Sequence, residues 1–89
     1  MAFQSRNLSV LAYANGFTLW HYTTPDAPGD VDTQGYFNGA SEMLRAGDMV
    51  LANVNTGGAP AAGIFLVNAS AAGVVDVADM TSVGGVNTD

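Results

Sequence analysis

A mainly β fold, closed as a small β-sandwich or barrel of five to seven short strands with one short helix, is predicted by three features of the sequence. Two strand-like runs flank Asn15-Gly16, the strongest short-range signal for a β-hairpin. Two apolar runs within residues 64–78 enclose the sequence ASAAG and predict a second hairpin with a longer loop. Only residues 36–46 show helical spacing, which places the helix there. Short strands joined by turns predict a compact β-domain.

The first hairpin is predicted from residues 8–14 and 17–24. A type I′ turn at the Asn-Gly pair sets a register in which Val10 lies opposite His21. Neither face of this hairpin is polar, so it needs cover on both sides. The face turned away from the chain's own core is expected to carry four large side chains: Leu11, Tyr13, Trp20 and Tyr22.

The middle of the chain is predicted to contain a loop, the helix and a strand. Residues 25–35 hold two Pro, two Gly and three Asp, a composition typical of loops. In the segment that follows, Phe37, Ala40 and Leu44 recur at helical spacing, and a glycine just after it marks the helix end. The sequence MVLANV then predicts a strand.

A single domain is predicted, with residues 1–7 as an N-terminal arm, 8–82 as the β-rich domain and 83–89 as a C-terminal tail. A chain of 89 residues buries only about 60% of its unfolded surface, so its core is modest. The absence of Cys removes disulfides and thiolate metal sites as stabilising elements. Association with further subunits is the remaining means of stabilisation, and we expect a homo-oligomer.

The charge pattern disfavours several partners. The chain has two Arg, no Lys and a net charge of −6, whereas nucleic-acid binding draws on clustered basic residues. An anionic membrane is disfavoured for the same reason, and no apolar run approaches the ~18 residues of a membrane span. Only 11% of the residues are charged, against roughly 25% in ordinary domains. Such a surface favours assembly, because few charges must be desolvated on contact.

His21 is the only candidate general base at neutral pH. No acidic residue lies near it in the sequence to orient its ring, although Ser9 and Thr23 are candidate nucleophiles. A small hydrolase that uses His21 is therefore one alternative, and a structural histidine on a strand is favoured over it. We expect no enzymatic activity and assign no catalytic residue, cofactor or metal.

Three acids share the loop at residues 25–35. Asp26, Asp30 and Asp32 could supply oxygen ligands to calcium. The loop lacks the ligand spacing and closing Glu of a hand-type calcium site, and Asp is common in turns for its backbone hydrogen bonds. The sequence leaves calcium binding at this loop open.

The aromatic residues allow two interpretations. They could form a platform for stacking sugars, or they could fill the core and leave a surplus that anchors a subunit interface. Base stacking is disfavoured because no basic groove accompanies the rings. Six residues are the expected interface: Phe3, Arg6, Leu11, Tyr13, Trp20 and Tyr22.

Three blocks of the sequence carry a resemblance to a known family: LAYANGFTLWHY, the GYF element and the ML-x-x-GD turn. Together they resemble small virion proteins of tailed bacteriophages, which are described as head decoration, head fibre or capsid cement proteins. The resemblance covers roughly residues 8–80. None of the blocks is a catalytic motif.

The resemblance implies a non-enzymatic virion structural protein that decorates and stabilises the capsid exterior. It implies the major capsid protein as partner, an oligomer with a trimer favoured by analogy, and a place on the virion surface after synthesis in the host cytoplasm. The alternative is a receptor- or glycan-binding module of a head or tail fibre. An exposed Trp20 on a concave face would favour that alternative.

Overall fold

The computed structural model describes residues 3–84 and is mainly β. Six strands lie in one mixed sheet: β1 Leu8–Ala14, β2 Phe17–Thr23, β3 Met49–Val54, β4 Ala61–Ala71, β5 Val74–Val77 and β6 Thr81–Val83. The mainly β class, the strand number and the presence of one short α-helix within residues 3–84 confirm the predicted fold class. The closure differs, because the strands form one sheet instead of a sandwich or barrel.

The strand order is β1-β2-β3-β4-β5, and β6 also pairs with β4. β2 and β3 are parallel, whereas the other pairs are antiparallel. Parallel neighbours need a crossover connection, and residues 24–48 provide it. This crossover segment packs on one face of the sheet and supplies the other half of the core. The buried apolar side chains are Trp20, Tyr22, Val31, Phe37, Ala40, Leu44, Val50, Ala52, Val54, Phe65, Val67, Val75 and Val77.

The helix is not where the sequence placed it. The α-helix, α1, spans Pro28–Val31 and begins with a proline, which suits the first helical turn. Within residues 36–46 the chain instead forms a 3-10 turn at Asn38–Ala40 and further turns. A Cβ on Gly39 would lie 3.2 Å from the ring of Phe3, so this turn packs closely on the N-terminal segment. The helical spacing identified buried residues correctly but not their conformation.

The predicted hairpin exists, but its register changes along its length. Near the turn, Ala12 pairs with Leu19 as expected. A β-bulge at Leu11 then shifts the register, so that Val10 lies opposite Trp20 instead of His21. A bulge inserts one extra residue into one strand and moves every later side chain by one position. The predicted pairing of Val10 with His21 is therefore wrong.

Neither hairpin turn has the form that the sequence predicted. In the first turn only Gly16 has a positive φ, at 98°, whereas a type I′ turn needs positive φ at both central residues. In the second hairpin, Ala72 and Gly73 have φ of 54° and 81°, which is the type I′ pattern. β4 continues to Ala71, so this loop has two residues and the longer loop predicted from ASAAG is wrong.

The N-terminal segment belongs to the domain. Phe3 packs against the core, and its ring stacks on Tyr22 with a centroid distance of 5.5 Å. A short 3-10 helix at Ser5–Asn7 leads from it into β1. At the other end, β6 reaches Val83, one residue beyond the predicted domain boundary. The predicted tail from residue 85 onward lies outside the described residues.

Candidate interaction surface

The end of the first hairpin extends beyond the rest of the sheet. β2 pairs with β3 only from Leu19 onward, and β1 has β2 as its one strand neighbour in the strand order. We call residues 10–18 (VLAYANGFT) the hairpin tip. It contains no charged residue, and Tyr13 has 76% of its surface exposed. Val10 and Leu11 are also more than half exposed.

The bulge places Val10 and Tyr13 on the same side of the hairpin. Before it, Val10 pairs with the core residue Trp20, so its side chain points to the core side of the sheet. After it, Tyr13 lies opposite Thr18, which is two residues from Trp20 and therefore on the same face of β2. Leu11, the bulged residue, remains exposed between them. The tip is thus a projecting two-stranded ribbon with exposed apolar side chains and a free β1 edge.

The six predicted interface residues do not share one surface. Tyr22 is fully buried and Trp20 is only 7% exposed, so both belong to the chain's own core. Both side chains pack in one core cluster with residues of the crossover segment, so they are not exposed on the surface where the sequence placed them. Phe3 is half-buried against the same core, whereas Arg6, Leu11 and Tyr13 are exposed. Leu11 and Tyr13 therefore remain as accessible members of the predicted set on the hairpin tip.

Burial of Trp20 also bears on the glycan-binding alternative. An exposed Trp20 ring on which a sugar could stack would have favoured that interpretation. The ring is instead enclosed, and its Nε1–H donates to Asp48 Oδ2 at 3.2 Å. The alternative therefore lacks the support that an exposed Trp20 would have given.

Asp48 is an important residue that sequence reasoning missed. Its side chain is 2% exposed and accepts hydrogen bonds from the backbone N–H of Thr18 at 3.0 Å and of Arg45 at 3.1 Å, besides the Trp20 indole. A buried carboxylate needs such donors to offset its lost hydration. The Gly-Asp pair predicted a turn, and nothing in its local sequence signalled a buried acid. The hydrogen bond between Arg45 and Asp48 comes from the backbone N–H of Arg45.

A second polar network lies among the core aromatics. The hydroxyl of Tyr36 donates to Asp26 Oδ2 at 2.6 Å and lies 3.0 Å from the hydroxyl of Tyr22. The Tyr22 oxygen in turn accepts the backbone N–H of Gln4 at 3.1 Å. Partial burial, and then the hydrogen bond to Asp26, raise the pKa of Tyr36 far above its ordinary value. This network joins the N-terminal segment, β2 and the crossover segment.

His21 has a structural environment. Its Nε2 lies 2.8 Å from Asn53 Oδ1, and because a carboxamide oxygen only accepts, the ring nitrogen donates. Its register partner on β1 is Ser9, and its partner on β3 is Leu51. The orienting group of the ring is thus a neutral amide on the neighbouring parallel strand.

The loop acids have separate environments. Asp26 is buried beside Tyr36, whereas Asp32 ends α1 and interacts with Asp79 of the loop between β5 and β6. Partial burial, and then the charge of Asp79 and a hydrogen bond to it, raise the pKa of Asp32. Within residues 3–84, no three His, Asp or Glu side chains converge as metal ligands. The three acids of the loop are therefore not gathered into one group of carboxylate ligands.

The second face of the sheet is uncovered in the part of the chain that the structure describes. All buried side chains of the strands point to the crossover segment, and the opposite side chains are half-buried or exposed. We call this second surface the open face. It comprises three cross-strand rows: Ala12, Leu19, Met49 and Leu66; Ser9, His21, Leu51, Ile64 and Thr81; Thr23, Asn53, Ala62 and Val83.

No protein-family model, curated protein or solved structure matches this chain. The longest helix within residues 3–84 has four residues, and no helix there is long and apolar enough to cross a membrane. The hairpin tip and the open face are the two exposed apolar surfaces on which the proposals below are based.

Proposed function

We propose that this chain is a non-enzymatic structural protein of a tailed-phage virion, which decorates and stabilises the capsid exterior. The class comes from the resemblance of its sequence blocks to head decoration and cement proteins. The observation that supports a binding role is the uncharged hairpin tip, on which the side chains of Val10, Leu11 and Tyr13 are more than half exposed. The proposed partner is the major capsid protein.

The chemistry of the tip suits insertion between protein subunits. Burying Tyr13 gains apolar contact area at low conformational cost, because its ring has only two rotatable bonds. No charge within residues 10–18 has to be desolvated. The free edge of β1 also offers backbone N–H and C=O groups, with which an extended capsid segment can pair as an added strand. An inserted tip at a junction between capsomers would hold neighbouring subunits together.

A binding experiment tests this proposal. Purified protein is mixed with shells assembled from the major capsid protein of the same genome, and the bound fraction is measured by co-sedimentation. Wild-type protein should bind, and Tyr13→Asp should bind at least about tenfold more weakly, the equivalent of ~1.4 kcal/mol.

Val74→Asp is the matched control. Val74 is also an exposed apolar strand residue, but it lies on β5, away from the tip. This variant should bind like the wild type. Failure of the wild-type protein to bind the shells, or equal loss in both variants, would contradict the proposed role of the tip.

A further inference from the structure

We infer that the open face is a self-association surface, on which the same face of a second copy of this chain packs. The inference concerns a different surface from the hairpin tip and does not depend on capsid binding. The crossover segment covers one face of the sheet, and no described element covers the other. A sheet in a stable domain normally buries its apolar face against another layer.

The side chains of the open face are of the kind that cores use. Its middle carries aliphatic residues from three adjacent strands, which are Leu19 on β2, Met49 and Leu51 on β3, and Ile64 and Leu66 on β4. Met49 and Leu66 are register partners, as are Leu51 and Ile64, so the apolar groups form a continuous band. Contiguous exposed bands of this type mark interaction sites.

The polar groups in the band are already paired or uncharged. His21 and Asn53 hydrogen-bond to each other across β2 and β3 at 2.8 Å. Each side chain therefore already has a hydrogen-bond partner when the face is buried against another molecule. The remaining polar members are hydroxyl side chains at the margins: Ser9, Thr23 and Thr81. None of the three rows contains an Asp, Glu, Lys or Arg.

The distribution of charge selects a second copy as the occupant. Five of the chain's eight acids lie on the crossover segment, on the other side of the sheet: Asp26, Asp30, Asp32, Glu42 and Asp48. Asp79 interacts with Asp32 of the crossover segment. Asp76 on β5 is the acid on the open side of the sheet, because it alternates with the buried Val75 and Val77, and it pairs with Ala69 just beyond the row of Leu66. Two copies with a net charge of −6 each repel one another in most orientations. Face-to-face contact is the arrangement that directs most of the acids outward.

The geometry of such a contact is that of a two-layer sandwich. Two sheets pack at about 10 Å with side chains interdigitated, and two identical faces are related by a two-fold axis. Strands about 4.8 Å apart and about five residues long at ~3.3 Å each give a face of roughly 400 Å² per copy. A total near 800 Å² belongs to weak or transient interfaces, so the dimer should dissociate in the micromolar range. The sandwich predicted from the sequence would then form between two chains.

Sedimentation of the purified full chain tests the inference, over roughly 1 to 500 µM so as to bracket that range. The wild-type protein should show a monomer–dimer equilibrium. Leu66→Asp should weaken the dimer at least about tenfold, because it places a charge in the band. Met43→Asp is the control, since Met43 and Leu66 are 43% and 44% exposed but Met43 lies on the crossover segment. This control should sediment like the wild type.

A second variant keeps the test valid if Leu66→Asp does not fold. Val83→Asp changes an exposed end residue of β6 in the third row and should weaken the dimer in the same direction. Circular dichroism establishes that each variant is folded. A wild-type monomer at every concentration would overturn the inference, as would an oligomer that both row variants leave unchanged, including a trimer. Equal weakening by Met43→Asp would also overturn it.

The two proposals fail separately. Tyr13→Asp should lose capsid binding and retain the dimer, whereas Leu66→Asp should lose the dimer. A dimer that does not bind shells would contradict the capsid role alone. Shell binding by a chain that stays monomeric at all concentrations would contradict self-association alone.

Discussion

Asp48, in the turn before β3, accepts the indole N–H of Trp20 at 3.2 Å inside the core. The same carboxylate accepts the backbone N–H of Thr18, the last residue of the hairpin tip, at 3.0 Å. Asp48 thus connects the base of the projecting hairpin to the start of the neighbouring parallel strand. A projecting two-stranded ribbon is marginally stable by itself, so this buried acid determines how firmly the tip is held.

Asp48→Asn should destabilise the protein by about 2 kcal/mol, because a carboxamide has one acceptor oxygen and directs an NH₂ group at other donors. Urea unfolding followed by far-UV circular dichroism measures the change. Glu42→Gln, at an exposed acid of the crossover segment, should stay within about 0.5 kcal/mol of the wild type. A similar loss in both variants would show that net charge, and not the buried hydrogen bonds, is responsible.

Ala72→Asn should stabilise the protein by up to about 1 kcal/mol, because Ala72 holds a φ of 54° that asparagine tolerates better than alanine. Thermal and urea unfolding give the measurement. Ala71→Asn serves as the control, since Ala71 is the neighbouring strand residue and its φ is not positive. It should be neutral or destabilising. Stabilisation by both substitutions would point to a general effect of asparagine instead of the turn.

Tyr36→Phe should cost about 1 kcal/mol at neutral pH through loss of the hydrogen bond to Asp26. Because the pKa of Tyr36 is raised in the folded state, the hydrogen bond contributes its full stabilisation below about pH 10. In that range the tyrosine of the unfolded chain is still protonated. Above about pH 10 the unfolded state loses its proton first, so the wild type loses stability and the difference from Tyr36→Phe narrows.

Urea unfolding between pH 7 and pH 11 follows this narrowing. Tyr13→Phe is the control, because the Tyr13 ring is exposed at the hairpin tip. It should change the free energy of unfolding by less than about 0.5 kcal/mol. A constant gap between wild type and Tyr36→Phe across the whole range would contradict the assigned linkage.

Asp79→Asn should stabilise the protein slightly at pH 7, by less than about 1 kcal/mol, as is usual for exposed charge pairs. The pKa of Asp32 is raised above 3.8 by partial burial and by Asp79, so its ionised form is unfavourable at neutral pH. As the pH falls through the raised pKa toward 3.8, Asp32 takes up a proton and the wild type recovers stability. The advantage of Asp79→Asn should therefore shrink on acidification.

Stability measured from pH 7 to pH 4 checks the sign of this effect. Asp76→Asn is the comparison, because Asp76 is not among the charged groups that act on Asp32. A benefit of Asp79→Asn that grows as the pH falls would be the wrong sign and would rule out the coupling.

Local patterns in the sequence predicted the strands well. The Asn-Gly pair gave the correct bounds of β1 and nearly those of β2, and MVLANV gave β3. The failures came from features that local patterns do not encode. The bulge at Leu11 shifts the register between β1 and β2, and no residue of the turn indicates it. Ala72 at positive φ is an unusual choice that composition does not signal.

The helix prediction failed for a tertiary reason. Phe37, Ala40 and Leu44 are buried at the predicted spacing, yet the segment is shaped by glycines and by close packing of Gly39 on Phe3. The candidate surfaces were predicted only in part. Tyr13 and Leu11 are exposed as expected, whereas the open face needed the pairing of distant strands before it could be seen.

We propose that the chain binds the outside of a capsid through its hairpin tip. Electron cryo-microscopy of virions that carry this protein tests this proposal. We expect density for the domain on the outer capsid surface, with residues 10–18 inserted between capsid subunits. Density at a tail or fibre end, or a domain on the capsid whose tip points into solvent, would contradict it.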